Sequence, residues 1–179
     1  MRKKILVHIC CLPCFLHPCE ILCRDGFEIT GIFFNPNIQP ENEFDRRRDE
    51  VVRFFSQKGM ELVSIDYDKV VFDQTVSGDY PDRCEACFRM RLSESFRRAE
   101  LLGINLVTTT LISSVHQPRS LITHTGSYLS GLFKASFLSA DFRLGYYESR
   151  KIAERHGIYL QKYCGCLYSR KTRFRDSGN

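Results

Sequence analysis

The chain has 179 residues, of which 43% are hydrophobic and 26% charged, with a formal net charge of +5; this is the size and composition of one α/β-sized globular domain, spanning residues 1–179. No stretch is long and apolar enough to cross a bilayer, and the apolar run after Met1-Arg2-Lys3-Lys4 is broken by His8 and cysteines before a signal peptide could form, so a cytoplasmic protein with no membrane partner is expected. Nine cysteines are many for a reducing compartment, and an odd number cannot all pair in disulfides, which puts metal or redox chemistry first.

In chain order, residues 4–9 form a short apolar strand, residues 15–24 a helix stopped by Gly26, and residues 27–34 a second strand, which together make one βαβ unit. Asn35-Pro36-Asn37 is a turn. Residues 43–58 carry Phe44, Val51, Val52 and Phe55 at helical spacing before Gly59, and residues 62–65 make a third strand. Residues 67–82 hold only a weak helical pattern around 70–76 and read as a surface excursion, a length of loop that tends to be functional. An amphipathic helix over 83–102, a strand over 106–111, a helix over 120–132, a short strand over 135–138 and a helix over 147–156 follow. Residues 159–179 read as a cysteine loop and a basic tail. Such alternation predicts an α/β fold, a parallel β-sheet of about five strands sandwiched by helices, with its crevice at the carboxyl ends of the strands.

The cysteines fall in groups. Cys10, Cys11 and Cys14 crowd the turn where the first strand hands over to a helix, and adjacent thiols of this kind suit a metal better than a core. Cys84 and Cys87, three apart in the first turn of a helix, share one face; their neighbours Arg83 and Glu85 favour ligation over burial as small hydrophobes. For this pair to meet the first group, the 67–82 excursion must carry the chain back to the same sheet edge. Cys164-Gly165-Cys166 suits either a second metal pair or an easily reduced disulfide. Cys19 and Cys23, among apolar residues on the first helix, are assigned to the core. Four thiolates hold either a structural zinc or an iron–sulfur cluster; the position at the crevice favours the latter.

The runs His8-Ile9-Cys10-Cys11-x-Pro13-Cys14, Phe33-Phe34-Asn35-Pro36-Asn37-Ile38-x-Pro40, Arg83-Cys84-x-Ala86-Cys87-x-x-x-Arg91-Leu92, Thr108-Thr109-Thr110-Leu111, Asp141-Phe142-Arg143 and Lys162-Tyr163-Cys164-Gly165-Cys166 resemble, in order, those of the cobalamin-independent epoxyqueuosine reductases, the QueH type. The resemblance implies reduction of the epoxide of epoxyqueuosine at the wobble position of tRNA to give queuosine, with an iron–sulfur cluster, [4Fe-4S], as cofactor. It also implies a fold similar to the adenine-nucleotide alpha hydrolase-like (HUP) group. ATP-using members of that group carry a glycine-rich phosphate turn after the first strand. Here that turn is Cys10-Cys11-Leu12-Pro13, without glycine, so ATP is expected neither to bind nor to react.

Opening an epoxide and releasing its oxygen as water takes two electrons and two protons, which a thiolate-held cluster with a proton source can provide. Cys10, Cys11, Cys84 and Cys87 are the expected cluster ligands, with Cys14 able to replace Cys10 or Cys11. Cys164 and Cys166 are expected to act as a redox dithiol or to hold a second mononuclear metal, iron, as a Lewis acid. His8 and Asp141 are the candidate proton donors, against the blander readings of a core histidine and of a helix cap or ion pair with Arg143. The partners expected are tRNA carrying epoxyqueuosine and an electron donor that the sequence does not identify. Arg46-Arg47-Arg48, Arg89, Arg91, Arg97, Arg98 and Arg170-Lys171-x-Arg173-x-Arg175 are the candidate phosphate contacts, and Phe34, Tyr146 and Tyr147 the candidate stacking groups. The competing classes are a zinc-stapled RNA-binding module and a tRNA-thiolating enzyme of the same fold group.

Overall fold

The computed structural model describes residues 3–76, 78, 79 and 81–175, the last four as backbone only. Five strands, β1 (Lys3–His8), β2 (Phe27–Phe33), β3 (Glu61–Ser64), β4 (Leu106–Thr109) and β5 (Ser136–Phe137), form one sheet in the order β3-β2-β1-β4-β5. Every pairing is parallel. The helices are α1 (Leu12–Arg24), α2 (Glu41–Lys58), α3 (Lys69–Thr75), α4 (Asp82–Leu101), α5 (Arg119–Ser130), α6 (Tyr146–Arg155) and α7 (Leu167–Arg175), with 3-10 turns at Thr110–Ser113 and Phe142–Gly145.

β1 is the central strand and reads as one: Ile5, Leu6 and Val7 are all fully buried, as both faces of a parallel sheet covered by helices require. β2 lies on one side of it and β4 on the other, with His8 level with Ile32 and Thr109. The strand order therefore reverses at β1, and the crevice of such a sheet opens beyond the carboxyl end of that strand. Cys10, Cys11 and Cys14 begin there.

The core beneath is aromatic. Phe15 of α1 stacks on Phe55 of α2 with ring centroids 5.2 Å apart, and Phe33 meets Phe44 edge-on at 5.3 Å. Gly31 of β2 is fixed by this packing, since a Cβ there would sit 2.6 Å from the Phe55 ring. α2 ends at Gly59, whose left-handed φ of 61° closes the helix.

Most boundaries differ from the sequence reading by one or two residues, and three departures have a physical cause. α1 begins at Leu12 instead of residue 15, because Pro13 in the first turn is preorganised for helix and needs no N–H partner there; Cys14 is consequently helical. β4 stops at Thr109, whose Oγ1 accepts from Leu111 N at 3.1 Å and turns the chain into a 3-10 helix. The stretch expected to be loop and tail contains α7, which starts directly after Cys166. Among the described residues no helix is long and apolar enough to cross a membrane.

Candidate metal centre

The β1–α1 turn brings the Sγ atoms of Cys10, Cys11 and Cys14 within 4.8 Å of one another, all three residues being buried. Thr110, the first residue of the 3-10 turn after β4, clamps the first of them: Cys10 N donates to its Oγ1 at 3.0 Å, and that Oγ1 lies 3.1 Å from Cys10 Sγ. Gln161 reaches in from the C-terminal segment and donates from Nε2 to Cys11 Sγ at 2.8 Å. Hydrogen bonds from Cys11 and Cys14 hold the Cys10 thiol well below its usual range. Burial pushes Cys11 up, and Cys14 is raised chiefly by its hydrogen bond to Cys10.

A second group forms around Cys84, Cys87, Cys164 and Cys166. The 67–82 excursion does bring the chain back: α3 places Phe72 and Val76 against Cys87 and Cys166, with Cys164 packed beside them. Burial pushes the Cys87 thiol up to about 12. Cys164 is held down to about 5, first by the hydrogen bond from Cys166 and then by the Arg91 guanidinium, while Cys166 is raised and keeps its proton. All nine cysteines carry free thiols in this structure.

The Cys164-Gly165-Cys166 loop is pinned from outside. Arg47, 2% exposed on α2, pairs with Glu43 at 2.6 Å and donates to Cys164 O and Tyr163 O, each at 3.2 Å. Gly165 has φ 132°, and a Cβ on it would lie 2.9 Å from Asn37 Nδ2 and from Ile38 Cγ1. Gly165 O in turn accepts from Gln39 N at 2.9 Å. Ser169 of α7 caps Cys166, its N lying 3.4 Å from the sulfur.

Both thiol groups contribute to one cleft of about 330 Å³, in which Cys10 and Cys14 face Cys164. Its outer wall is aromatic and cationic. His116 and Tyr147 meet the Tyr146 ring edge-on at 5.8 and 5.2 Å, and the Arg150 guanidinium lies 5.7 Å from it. Tyr147 is 66% exposed.

Other expected site residues lie elsewhere. His8 is fully buried, with Nδ1 2.9 Å from Thr109 Oγ1 and Nε2 3.2 Å from Phe34 O. A carbonyl only accepts, so Nε2 carries the proton and Nδ1 takes the Thr109 hydroxyl, whose oxygen is also bonded by Leu111 N. Burial holds the ring neutral down to about 3. A neutral histidine with both nitrogens engaged has the environment of the blander reading, a core histidine at the end of a strand. Asp141 is similarly occupied: it accepts from Arg143 N at 3.1 Å, pairs with that guanidinium at 2.6 Å and has Arg119 at 4.0 Å. The Arg143 contacts keep its carboxyl well below the usual range, and it does not line the cleft, an arrangement that matches the helix-cap and ion-pair reading.

Several expected phosphate contacts are also spoken for. Arg47 and Arg91 are buried. Arg48 pairs with Asp45 and Asp49, Arg89 with Glu85, and Arg97 and Arg98 with Glu94. Arg46 lies over the Tyr159 ring at 3.7 Å. Arg170 and Lys171 lie on α7, while the side chains of Arg173 and Arg175 are outside the described residues. Phe34 packs on the core and lends its carbonyl to His8, whereas Tyr146 and Tyr147 do reach the cleft. Sequence reasoning missed Gln161 and the structural use of Arg47.

The family model described as "Epoxyqueuosine reductase QueH" matches residues 5–172. The chain belongs to this family. A QueH protein of Dehalococcoides mccartyi is 31% identical over 97% of this chain and 96% of its own length. One from Streptococcus pyogenes is 31% identical over 96% of this chain and 72% of its own, and one from Thermotoga maritima 30% identical over 92% and 89%. Among solved structures, the U34-tRNA thiolase NcsA from Methanococcus maripaludis with its [4Fe-4S] cluster superposes with a TM-score of 0.58 at 16% identity, covering 97% of this chain and 64% of that one. A deacetylase of teicoplanin biosynthesis gives 0.50 at 11% identity, covering 75% and 65%. At those identities the likeness establishes the α/β fold alone, which is the fold expected.

Proposed function

We propose that this QueH-family chain reduces the epoxide of epoxyqueuosine in a tRNA anticodon to give queuosine. The observation that carries the reading is the single cleft in which the β1–α1 thiols and Cys164 face each other at the switch point of the sheet. The sulfurs fit a metal by chemistry and spacing: three soft donors lie within 4.8 Å, buried and supplied with second-sphere hydrogen bonds from Thr110 and Gln161. Cys10 and Cys11 with Cys84 and Cys87 are the proposed ligands of a [4Fe-4S] cluster, and Cys14, closer to the first two, is the alternative for either of them. Such a cluster, when bound, supplies low-potential electrons one at a time.

The chain's own groups do the rest. Tyr147, with Tyr146 behind it, offers an exposed ring on which an extruded base can stack, and Arg150 and His116 bring donors to the same wall. Deoxygenation of the epoxide consumes two electrons and two protons and yields an alkene and water. Cys164 as thiolate and Cys166 as thiol can supply both electrons and one of the protons: closing a disulfide between them releases two electrons and the Cys166 proton, and the second proton enters from solvent. An external reductant then reopens the pair. Alternatively the same two sulfurs would hold a second mononuclear metal, iron, as a Lewis acid.

The test is anaerobic incubation of reconstituted protein with a chemical reductant and epoxyqueuosine-containing tRNA. Loss of one oxygen atom from the modified nucleoside is expected with the iron-loaded protein and not with zinc-loaded protein. Equal conversion by both, or by neither, contradicts the reading.

A further inference from the structure

Arg91 of α4 is 1% exposed, and among the described residues no carboxylate pairs with it. One Nη donates to Asn35 Oδ1 at 2.6 Å, and Nε has no hydrogen-bond partner. A guanidinium never sheds its proton in a protein, and a buried ion is tolerated only when paired or ligated, so its counter-charge must lie on groups packed around it. Cys87 lies one turn earlier on the same helix, and Asn35 ties the guanidinium to Ile9 O at the start of the Cys10-Cys11 turn, so the groups around it are thiols of both sets.

We propose that Arg91 is the internal counter-ion of one metal–thiolate centre spanning both thiol groups, a positioning residue that acts through the sulfurs and never touches substrate. The inference rests on the proposed reading that these thiols hold metal. Four thiolates around a divalent ion, or around a [4Fe-4S] core of charge 2+, leave a net charge of 2−, which a fixed cation beside the largely buried sulfurs offsets. Arg91 is placed to do so from between the groups: Cys10 comes from the β1–α1 turn, Cys87 from its own helix one turn earlier and Cys164 from the C-terminal loop. Asn35 sets the position. Its Nδ2 donates to Ile9 O at 2.8 Å, so the guanidinium is tied to the backbone that opens the Cys10-Cys11 turn. A cation held there favours retention of the anionic centre and favours its more negative, reduced state.

Reconstituted holoprotein of wild type, Arg91→Gln, Arg91→Lys and Asn35→Asp tests this through iron release to a chelator and through the midpoint potential, with no reliance on turnover. Arg91→Gln is expected to bind iron roughly 10- to 100-fold more weakly and to shift the midpoint to more negative potential. Arg91→Lys, which keeps the charge, is expected to recover most of both. Asn35→Asp sets a carboxylate on the guanidinium and is expected to follow Arg91→Gln; it carries the test by itself if Arg91→Gln does not fold. Wild-type iron retention and potential in both Arg91→Gln and Asn35→Asp overturn the proposal, as does an Arg91→Lys protein that behaves like Arg91→Gln. A wild-type protein that takes up no iron refutes instead the reading of the thiols as ligands.

Discussion

Gln161 donates its amide N–H to Cys11 Sγ at 2.8 Å across 150 residues of chain, and so joins the C-terminal segment to the turn where the cysteines begin. The same Nε2 lies 3.7 Å from Cys14 Sγ. Replacement by leucine keeps the volume and removes the donor. Gln161→Leu is expected to weaken metal retention roughly tenfold, the low end for a lost second-sphere contact, with the circular dichroism spectrum unchanged. Iron release to a chelator measures it; unaltered release means that the amide does not support the sulfurs.

Gly165 permits the Cys164-Gly165-Cys166 loop to lie against Asn37 and Ile38. Gly165→Ala imposes a φ of 132° on a residue with a Cβ and drives that carbon into both neighbours. The expected cost is on the order of 1–3 kcal/mol by urea unfolding. Turnover is expected to be lost while iron bound upstream is kept, since the loop moves and the β1–α1 turn does not. Full turnover in the alanine variant contradicts the placement of Cys164 and Cys166 at the reacting site.

Arg47 anchors the same loop from α2. Arg47→Met leaves the half-buried Glu43 without its cationic partner, with only the Tyr159 hydroxyl still bonded to it, and strips the Cys164 and Tyr163 carbonyls of their donor. A destabilisation of about 3–5 kcal/mol is expected, read from the urea midpoint at constant slope. A loss below about 1 kcal/mol, the scale of exposed pairs, would show that the pair is solvated.

The sheet was legible because β1, β2 and the α2 face carry apolar periodicity that no competing pattern disturbs. The grouping of cysteines into an N-terminal turn, a helix face and a C-terminal loop was legible too. What escaped was everything decided by distant contacts. Arg47 sits in an arginine run that reads as a basic surface, and only Glu43 one turn away and two carbonyls from residues 163 and 164 bury it. α7 lacks an apolar stripe, and its start is set by Cys166 and Ser169 bonding each other. His8 and Asp141 have residue types that suit acid chemistry, and local partners took both.

His8 makes a pH prediction with a definite sign. Its pKa falls from 6.5 to about 3 on folding, so between those values the unfolded chain binds a proton that the native protein refuses. Stability therefore falls as pH drops through that window, by about 1.4 kcal/mol per pH unit from this group. His8→Asn, which does not titrate, is expected to show a shallower fall between pH 6 and 4 in urea titrations, the wild-type minus variant slope being the quantity read. Identical slopes would mean that the imidazole is charged or solvated in the native state.

The most direct measurement is a count of iron and labile sulfide, with the visible spectrum, on anaerobically prepared wild type, Cys84→Ser, Cys14→Ser and Cys19→Ser. A brown wild type containing iron and sulfide is predicted, retained by Cys19→Ser and by Cys14→Ser and lost in Cys84→Ser, because a hydroxyl replaces a thiolate poorly on iron. A Cys84→Ser protein with a full complement of iron and sulfide would contradict a centre built across the two thiol groups.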